Sequence, residues 1–200
     1  MIVINIEQGS EAWFQERCGR FTASKFSTLM SGKSTKGYKD LILDIAGEAI
    51  TGEVEESYSN ANMERGKDLE PEARQEFTEL ISDVKEVGFC LPDSDIAEWC
   101  GVSPDGMLPD GAILEIKCPL RKTHLNYLRN DRLPNEYKWQ VQGQIFVTGA
   151  PYGYFMSYYP NMKPFILKVE RDEQMITDLE TRIKEAITEV KEIIKSYDIL

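Results

Sequence analysis

The segment SPDGMLPDGAILEIKCP, residues 103–119, sets a glutamate and a lysine two positions apart inside a short apolar run, with an aspartate upstream of both. Side chains of a strand alternate between faces, so Ile113, Glu115 and Lys117 share one face while Leu114 and Ile116 share the other. The apolar pair anchors the strand in a core, which holds Glu115 and Lys117 side by side. Pro104 and Gly106 favour a turn that brings Asp105 to the neighbouring strand end, within reach of Glu115. Two carboxylates and an ammonium then converge. Oxygen donors of this kind suit Mg²⁺ or Mn²⁺, which lower the pKa of bound water and neutralise phosphate charge. The lysine can stabilise charge developing on phosphorus. The segment therefore predicts metal-dependent phosphodiester hydrolysis. An isolated Glu-x-Lys triplet is far more often a surface cross-strand pair, so the rest of the chain has to be weighed with it.

Around this strand the pattern alternates between helical and extended periods. Ser10 can cap a helix through SEAWFQERCG, and Thr22 or Ser24 can cap another through KFSTLMSG; YKDLILDIAGEAITG has helical spacing before a glycine stop. The first quarter is thus expected to be helical. NMERGKDLEPEARQEFTELIS places Leu69, Ala73, Phe77 and Leu80 on one face, with Pro71 requiring a late start or a kink. VKEVGFCL, AEWCGVS and AILEIK read as strands of one sheet. YKWQVQGQIFVTG reads as a helix, GYFMSYY and PFILKVER as strands, and the end as a long amphipathic helix stepping through Ile176, Leu179, Ile183, Ile187, Val190 and Ile194. There is no internal repeat or linker, and 200 residues form one domain, residues 1–200.

With 42% hydrophobic and 28% charged residues the composition is that of a soluble domain, without a membrane span or a basic, cleavable leader, and the expected location is the cytoplasm. Cys18, Cys90, Cys100 and Cys118 are widely separated and His124 is the only histidine, so no zinc site is expected and the thiols read as reduced and mostly buried. His124 reads as a structural or surface residue. A net charge of −11 opposes a phosphate-coated surface, and a DNA partner requires the cations to be concentrated in one groove. Lys25, Lys33, Lys36 and Lys39, in a stretch without an acid, read equally as such a groove or as a solvated loop.

SPDG…LEIKCP also resembles the P-D-(D/E)-x-K core of restriction-endonuclease-like nucleases, in particular the bacteriophage lambda-type exonuclease (YqaJ-like viral recombinase) family. EQGSEAWFQERCGRFTAS is similar to that family's Q-G-x-x-x-W…R-x-G-x-x-T-A-S signature, RGKDLEPEARQEF to its G-K-x-x-E…A-R helix, and WQVQGQIFVTG to its Q-V-Q helix. The motifs stand in family order over residues 8–149, and YYPNMKPFILKVERDE resembles the later strands. The resemblance implies an α/β fold with a restriction-endonuclease-like core, a central mixed sheet flanked by helices. It implies Glu70, Asp105, Glu115 and the Ile116 main-chain carbonyl as ligands of Mg²⁺, with Mn²⁺ as a substitute. Lys117 is implied as the catalytic lysine, Gln140 as a residue placing water or substrate, and Arg17 and Ser24 as receivers of a 5′-phosphate. Trp13, also matched, reads better as a core anchor than as a base-stacking residue.

The implied activity is 5′-to-3′ digestion of one strand of linear duplex DNA, leaving a 3′ single-stranded tail. The implied partners are two further copies in a homotrimer ring and a single-strand annealing protein, the setting a bacterial host cytoplasm. Only Cys118 follows Lys117, which disfavours the iron–sulfur type of relative, and no cluster is expected. The alternatives are a metal-dependent endonuclease of the same superfamily and a catalytically silent nuclease-fold DNA-binding or scaffold protein.

Overall fold

Alternating patches of Val, Ile and aromatic residues end at prolines, glycines and aspartates, and the chain folds accordingly as helices around short strands. The computed structural model describes residues 1–54 and 61–197. In chain order it forms β1 (Ile2–Ile4), α1 (Glu11–Arg17), β2 (Phe21–Thr22), and a 3₁₀ turn, Ala23–Lys25, running into α2 (Phe26–Leu29). Next come α3 (Lys36–Thr51), α4 (Ala61–Leu80), β3 (Phe89–Leu91), β4 (Cys100–Gly101), β5 (Gly106–Met107) and β6 (Ile113–Lys117). The remainder is α5 (Arg121–Asn130), α6 (Lys138–Thr148), β7 (Tyr152–Ser157), β8 (Phe165–Glu170) and α7 (Glu173–Tyr197). Among the described residues no helix is long and apolar enough to cross a membrane.

The main sheet is mixed, in the order β5-β6-β7-β8, with β6 and β7 parallel and the other two pairings antiparallel. The parallel step from β6 to β7 is made through α5 and α6, as parallel strands require a crossover. The three strands expected to share one sheet do not: β3 pairs with β1, β4 with β2, and only β6 lies in the main sheet. Single bridges, Cys90 with Val102 and Lys85 with Met107, run on from these short pairs. AEWCGVS opens in a turn, Ala97–Trp99, and only Cys100–Gly101 and the bridged Val102 are extended.

Both faces of β6 are covered. Leu114 and Ile116 pack with Ala73 and Phe77 of α4, while Ile113 packs with Val141 and Ile145 of α6. A strand buried on both faces leaves its polar side chains no solvent, so Glu115 has to find partners inside. Helix α4 runs through Pro71 rather than starting after it, and Leu80 at its end is exposed. Helix α7 is capped by Asp172, whose Oδ1 accepts the Met175 N–H at 3.0 Å, and lays Leu179, Ile183, Ala186, Ile187 and Val190 against the α3 face of Tyr38, Leu41, Ile42 and Ile45. Gly143 allows α6 to approach α2: a Cβ there would stand 2.2 Å from the Phe26 ring. All four cysteines are free; Cys90 and Cys100 are buried, Cys18 and Cys118 only partly.

Candidate active site

The site grows from an interruption in the β5–β6 ladder. Gly106 stands opposite Leu114, and Leu108 N–H donates to Ala112 O, so the same register would set Pro104 opposite Ile116. Proline has no N–H to give, and the Ile116 carbonyl therefore has no ladder donor. The Pro104 carbonyl accepts instead from Gln8 Nε2 at 2.9 Å. The Ile116 N–H, left without that carbonyl, donates to Asp105 Oδ2 at 2.6 Å. A Ser-Pro-Asp-Gly turn thus frees one carbonyl and fixes one carboxylate beside it.

Glu115 is 1% exposed and fully engaged. Its Oε1 accepts from Gln140 Nε2 at 2.5 Å and pairs with Lys117 Nζ at 2.5 Å; its Oε2 accepts from Gln144 Nε2 at 2.6 Å. Gln140 and Gln144 lie one turn apart on α6, the spacing that puts two side chains on one face. From the other side α4 brings Glu70, whose Oε1 accepts from Arg74 Nη2 at 2.5 Å, while Arg74 Nε donates to the Asp105 carbonyl at 3.0 Å and Nη1 to Glu86 at 2.6 Å. Arg74 therefore ties the α4 carboxylate to the turn that carries Asp105.

The electrostatics follow from burial. Burial first, then Glu115 and Glu70, push the Asp105 carboxyl well above the usual carboxylate range, against Lys117 and the Ile116 N–H. Burial raises Glu70 too, opposed by Arg74 and reinforced by Glu115. Burial pulls the Lys117 ammonium down, but Glu115 and Asp105 outweigh it, and the lysine is held charged. Carboxylates that repel one another inside a fold are the donor set that a divalent cation relieves. Among the described residues no three such groups are already drawn to a common point, and Lys117 and Arg74 supply the countercharge.

A second feature lies at the first helix. Ser10 caps α1 through the Trp13 N–H, and Trp13 Nε1 donates to Ser103 Oγ at 2.8 Å, two residues before Asp105. The Arg17 guanidinium lies over the Trp13 ring at 4.0 Å and reaches Thr22 Oγ1 at 3.4 Å. Burial pushes Arg17 down to about 10, against Glu48, so it remains a cation stripped of much of its water at neutral pH. Ser24 is exposed in the 3₁₀ turn two residues beyond Thr22. Trp13 is thus half-buried and acts as a strut between α1 and the Asp105 turn, with Arg17 stacked on it.

The lysine stretch is free of acids only along the sequence. Lys25 lies 3.5 Å from Glu48, Lys33 pairs with Glu185 and Glu189 of α7 at 2.9 and 2.8 Å, and Lys36 pairs with Asp40 at 2.5 Å. Lys39 is exposed and has no carboxylate partner among the described residues. His124 is buried, its ring between Ser157 Oγ at 2.8 Å and the Lys163 carbonyl at 3.1 Å, and serves structure.

Arg74, Gln144 and Gln8 were not singled out from the sequence. Gln144 repeats Gln140 and Arg74 follows Glu70 at helical spacing, signals that could have been read; the partners of Gln8 are main-chain carbonyls remote in sequence and leave no such trace.

Comparison with known proteins places this geometry in context. A model of the YqaJ-like viral recombinase domain matches residues 12–151. The crystal structure of an alkaline exonuclease, LHK-Exo, from Laribacter hongkongensis matches with a TM-score of 0.87 and 30% identity, covering 94% of this chain and 96% of that one. The same enzyme in complex with dAMP matches to the same extent. A phage-related exonuclease from Haemophilus somnus 129PT shares the fold, with a TM-score of 0.71 at 14% identity over 89% of this chain and 96% of that one. No curated protein sequence matches significantly.

Proposed function

The chain belongs to the YqaJ-like viral recombinase domain family, and from that premise we propose that it is a Mg²⁺-dependent exonuclease digesting one strand of linear duplex DNA from the 5′ end. The observation that carries this reading is the convergence at one strand end of Asp105 on the Ile116 N–H, Glu115 under Gln140 and Gln144, and Lys117 on Glu115. Glu70, Asp105, Glu115 and the Ile116 carbonyl would hold Mg²⁺, or Mn²⁺ in its place. When bound, the ion supplies a water of lowered pKa and neutralises phosphate charge. Lys117, kept cationic by its carboxylate neighbours, balances charge that develops at the scissile phosphate. Gln140 steadies Glu115 and orients the substrate beside it. Arg17 and Ser24 receive the terminal 5′-phosphate, and Lys25, Lys33, Lys36 and Lys39 add positive charge on that side, the first three by exchanging a carboxylate for a phosphate. The product is a duplex with a 3′ single-stranded tail, a substrate for an annealing protein in the cytoplasm of a bacterial host. A homotrimer ring would keep an acidic chain on its DNA; light scattering that reads a single 22.9-kDa chain would contradict the ring.

Digestion of matched linear and circular duplexes with Mg²⁺, and again with EDTA, tests the reading. Linear DNA is expected to be degraded only with the cation. Cutting of the circle would make the chain an endonuclease, and binding without cutting would make it a silent DNA-binding protein.

Two substitutions probe the supports of the site. Gln144→Leu leaves Glu115 Oε2 without its donor, and is expected to raise the Mg²⁺ concentration for half-maximal rate about 10–100-fold; initial rates across a Mg²⁺ series read the shift. Arg17→Ala is expected to erase the preference for 5′-phosphorylated over 5′-hydroxyl ends, since a guanidinium can engage a terminal phosphate through two charge-assisted hydrogen bonds. Equal slowing on both kinds of end, with a lowered melting temperature, would make Arg17 only a brace for α1.

A further inference from the structure

The densest unpaired positive charge of the described chain lies on α5 and the turn after it, a segment to which the sequence analysis assigns no role. Residues 118–133 carry Arg121, Lys122, Arg129 and Arg132 against one acid, Asp131, a balance of +3 within a chain of −11. All four cations are exposed, and none makes a salt bridge or side-chain hydrogen bond among the described residues. Lys33 and Lys36 elsewhere have carboxylates already. On α5, His124 and Tyr127 point into the fold, so Lys122, Leu125, Asn126 and Arg129, spaced by three and four, share the outward face. Beyond the helix a shallow groove is lined by Asn126, Asn130, Arg132 and Asn135, whose amides and guanidinium are donors. Glu136, the one carboxylate in that lining, accepts the Tyr127 hydroxyl at 3.0 Å.

The position of the helix is fixed relative to the site. It begins four residues after Lys117, and Arg65 of α4 clamps the connection by donating to the Cys118 and Pro119 carbonyls at 2.8 and 2.7 Å. At about 1.5 Å per residue, Lys122 and Arg129 lie roughly 10 Å apart along the axis, the rise of about three phosphates of one strand.

From this we infer that the outward face of α5, carried by Lys122 and Arg129, together with Arg132 two residues beyond its end, is a phosphate track for the duplex, holding its backbone by charge alone beside the catalytic strand. The inference rests on the DNA-degrading function proposed above and adds a binding surface that takes no part in the chemistry. Its cations are exposed side chains on α5 and on the turn that follows it, so they position the duplex without reading its sequence.

The test uses the double variant Lys122→Gln/Arg129→Gln, with Lys191→Gln/Lys195→Gln on α7 as a control for loss of surface charge. Binding of a fluorescein-labelled linear duplex is followed by anisotropy in EDTA from 50 to 200 mM salt. The α5 variant is expected to lower the slope of log affinity against log salt by about 2, one unit or slightly less per lost phosphate contact. Its melting temperature and its single-turnover cleavage rate at saturating duplex should match wild type. A slope no more changed than that of the α7 control overturns the inference. So does a changed slope accompanied by dissociation of an assembly in light scattering, which would assign the face to the acidic surface of a second copy. A wild type that binds through α5 and never cleaves linear DNA removes the exonuclease reading and leaves the track standing; one that cleaves while α5 variants bind normally does the reverse.

Discussion

Lys117→Ala is expected to slow cleavage of linear duplex DNA by on the order of 10²–10³ while leaving duplex binding in EDTA close to wild type. The lysine touches one carboxylate oxygen, Glu115 Oε1, at 2.5 Å and lies 5.3 Å from the centre of the Tyr137 ring, so its removal opens no large hole. Glu115 keeps both α6 amides, Gln140 and Gln144, and its place in the strand. What is lost is a cation that Glu115 and Asp105 keep charged against its burial. A lysine that served only as a structural counter-ion would show itself differently, with a lower melting temperature and a cleavage rate, per folded molecule, that hardly moved. Thermal melts and single-turnover rates on the same preparation separate the two.

Asp105→Asn is expected to lower activity by two or three powers of ten and yet to raise the melting temperature measured in EDTA at neutral pH. Loss of several kcal/mol of charge stabilisation corresponds to the first effect. The second follows from the site's electrostatics. The folded state raises the Asp105 carboxyl through burial and through Glu115 and Glu70, so it binds that proton more tightly than the unfolded chain does. Such a group takes stability away as pH rises past its unfolded value, and the loss is absent below it. Asparagine still offers an oxygen to the Ile116 N–H without the charge. The advantage of the variant should therefore shrink as the pH is lowered. A variant that melts below wild type in EDTA would mean that the carboxylate is a net structural partner, and the site would lose its character as a set of groups held against their own repulsion.

How much of this was legible in the sequence depended on whether the determining contacts were local. The two faces of β6 were, because alternation is a property of the backbone: Leu114 and Ile116 do reach α4, and Glu115 and Lys117 do sit together. The turn at Pro104 was legible in kind, although the reason for the proline, a missing N–H opposite Ile116, appears only with the register. The division of the expected single sheet was not legible, since β3 and β4 choose partners, β1 and β2, that lie about 80 residues away in the chain. The lysines at 25–39 looked free because their carboxylates, Glu48, Glu185 and Glu189, lie outside the stretch. Helix α5 was passed over because RKTHLNYLRN is short and strongly polar, although His124, Tyr127 and Leu128 turn inward at helical spacing.

The polarity of digestion tests the central claim most directly. A linear duplex labelled at either the 5′ or the 3′ end of one strand, both ends phosphorylated, is incubated with the protein and Mg²⁺, and label released as mononucleotide is followed from the first turnovers. If Asp105, Glu115 and Lys117 act on a strand whose 5′-phosphate is held by Arg17 and Ser24, the 5′ label appears first and the 3′ label only late. Release of the 3′ label first, or of internal fragments before either, would contradict the account.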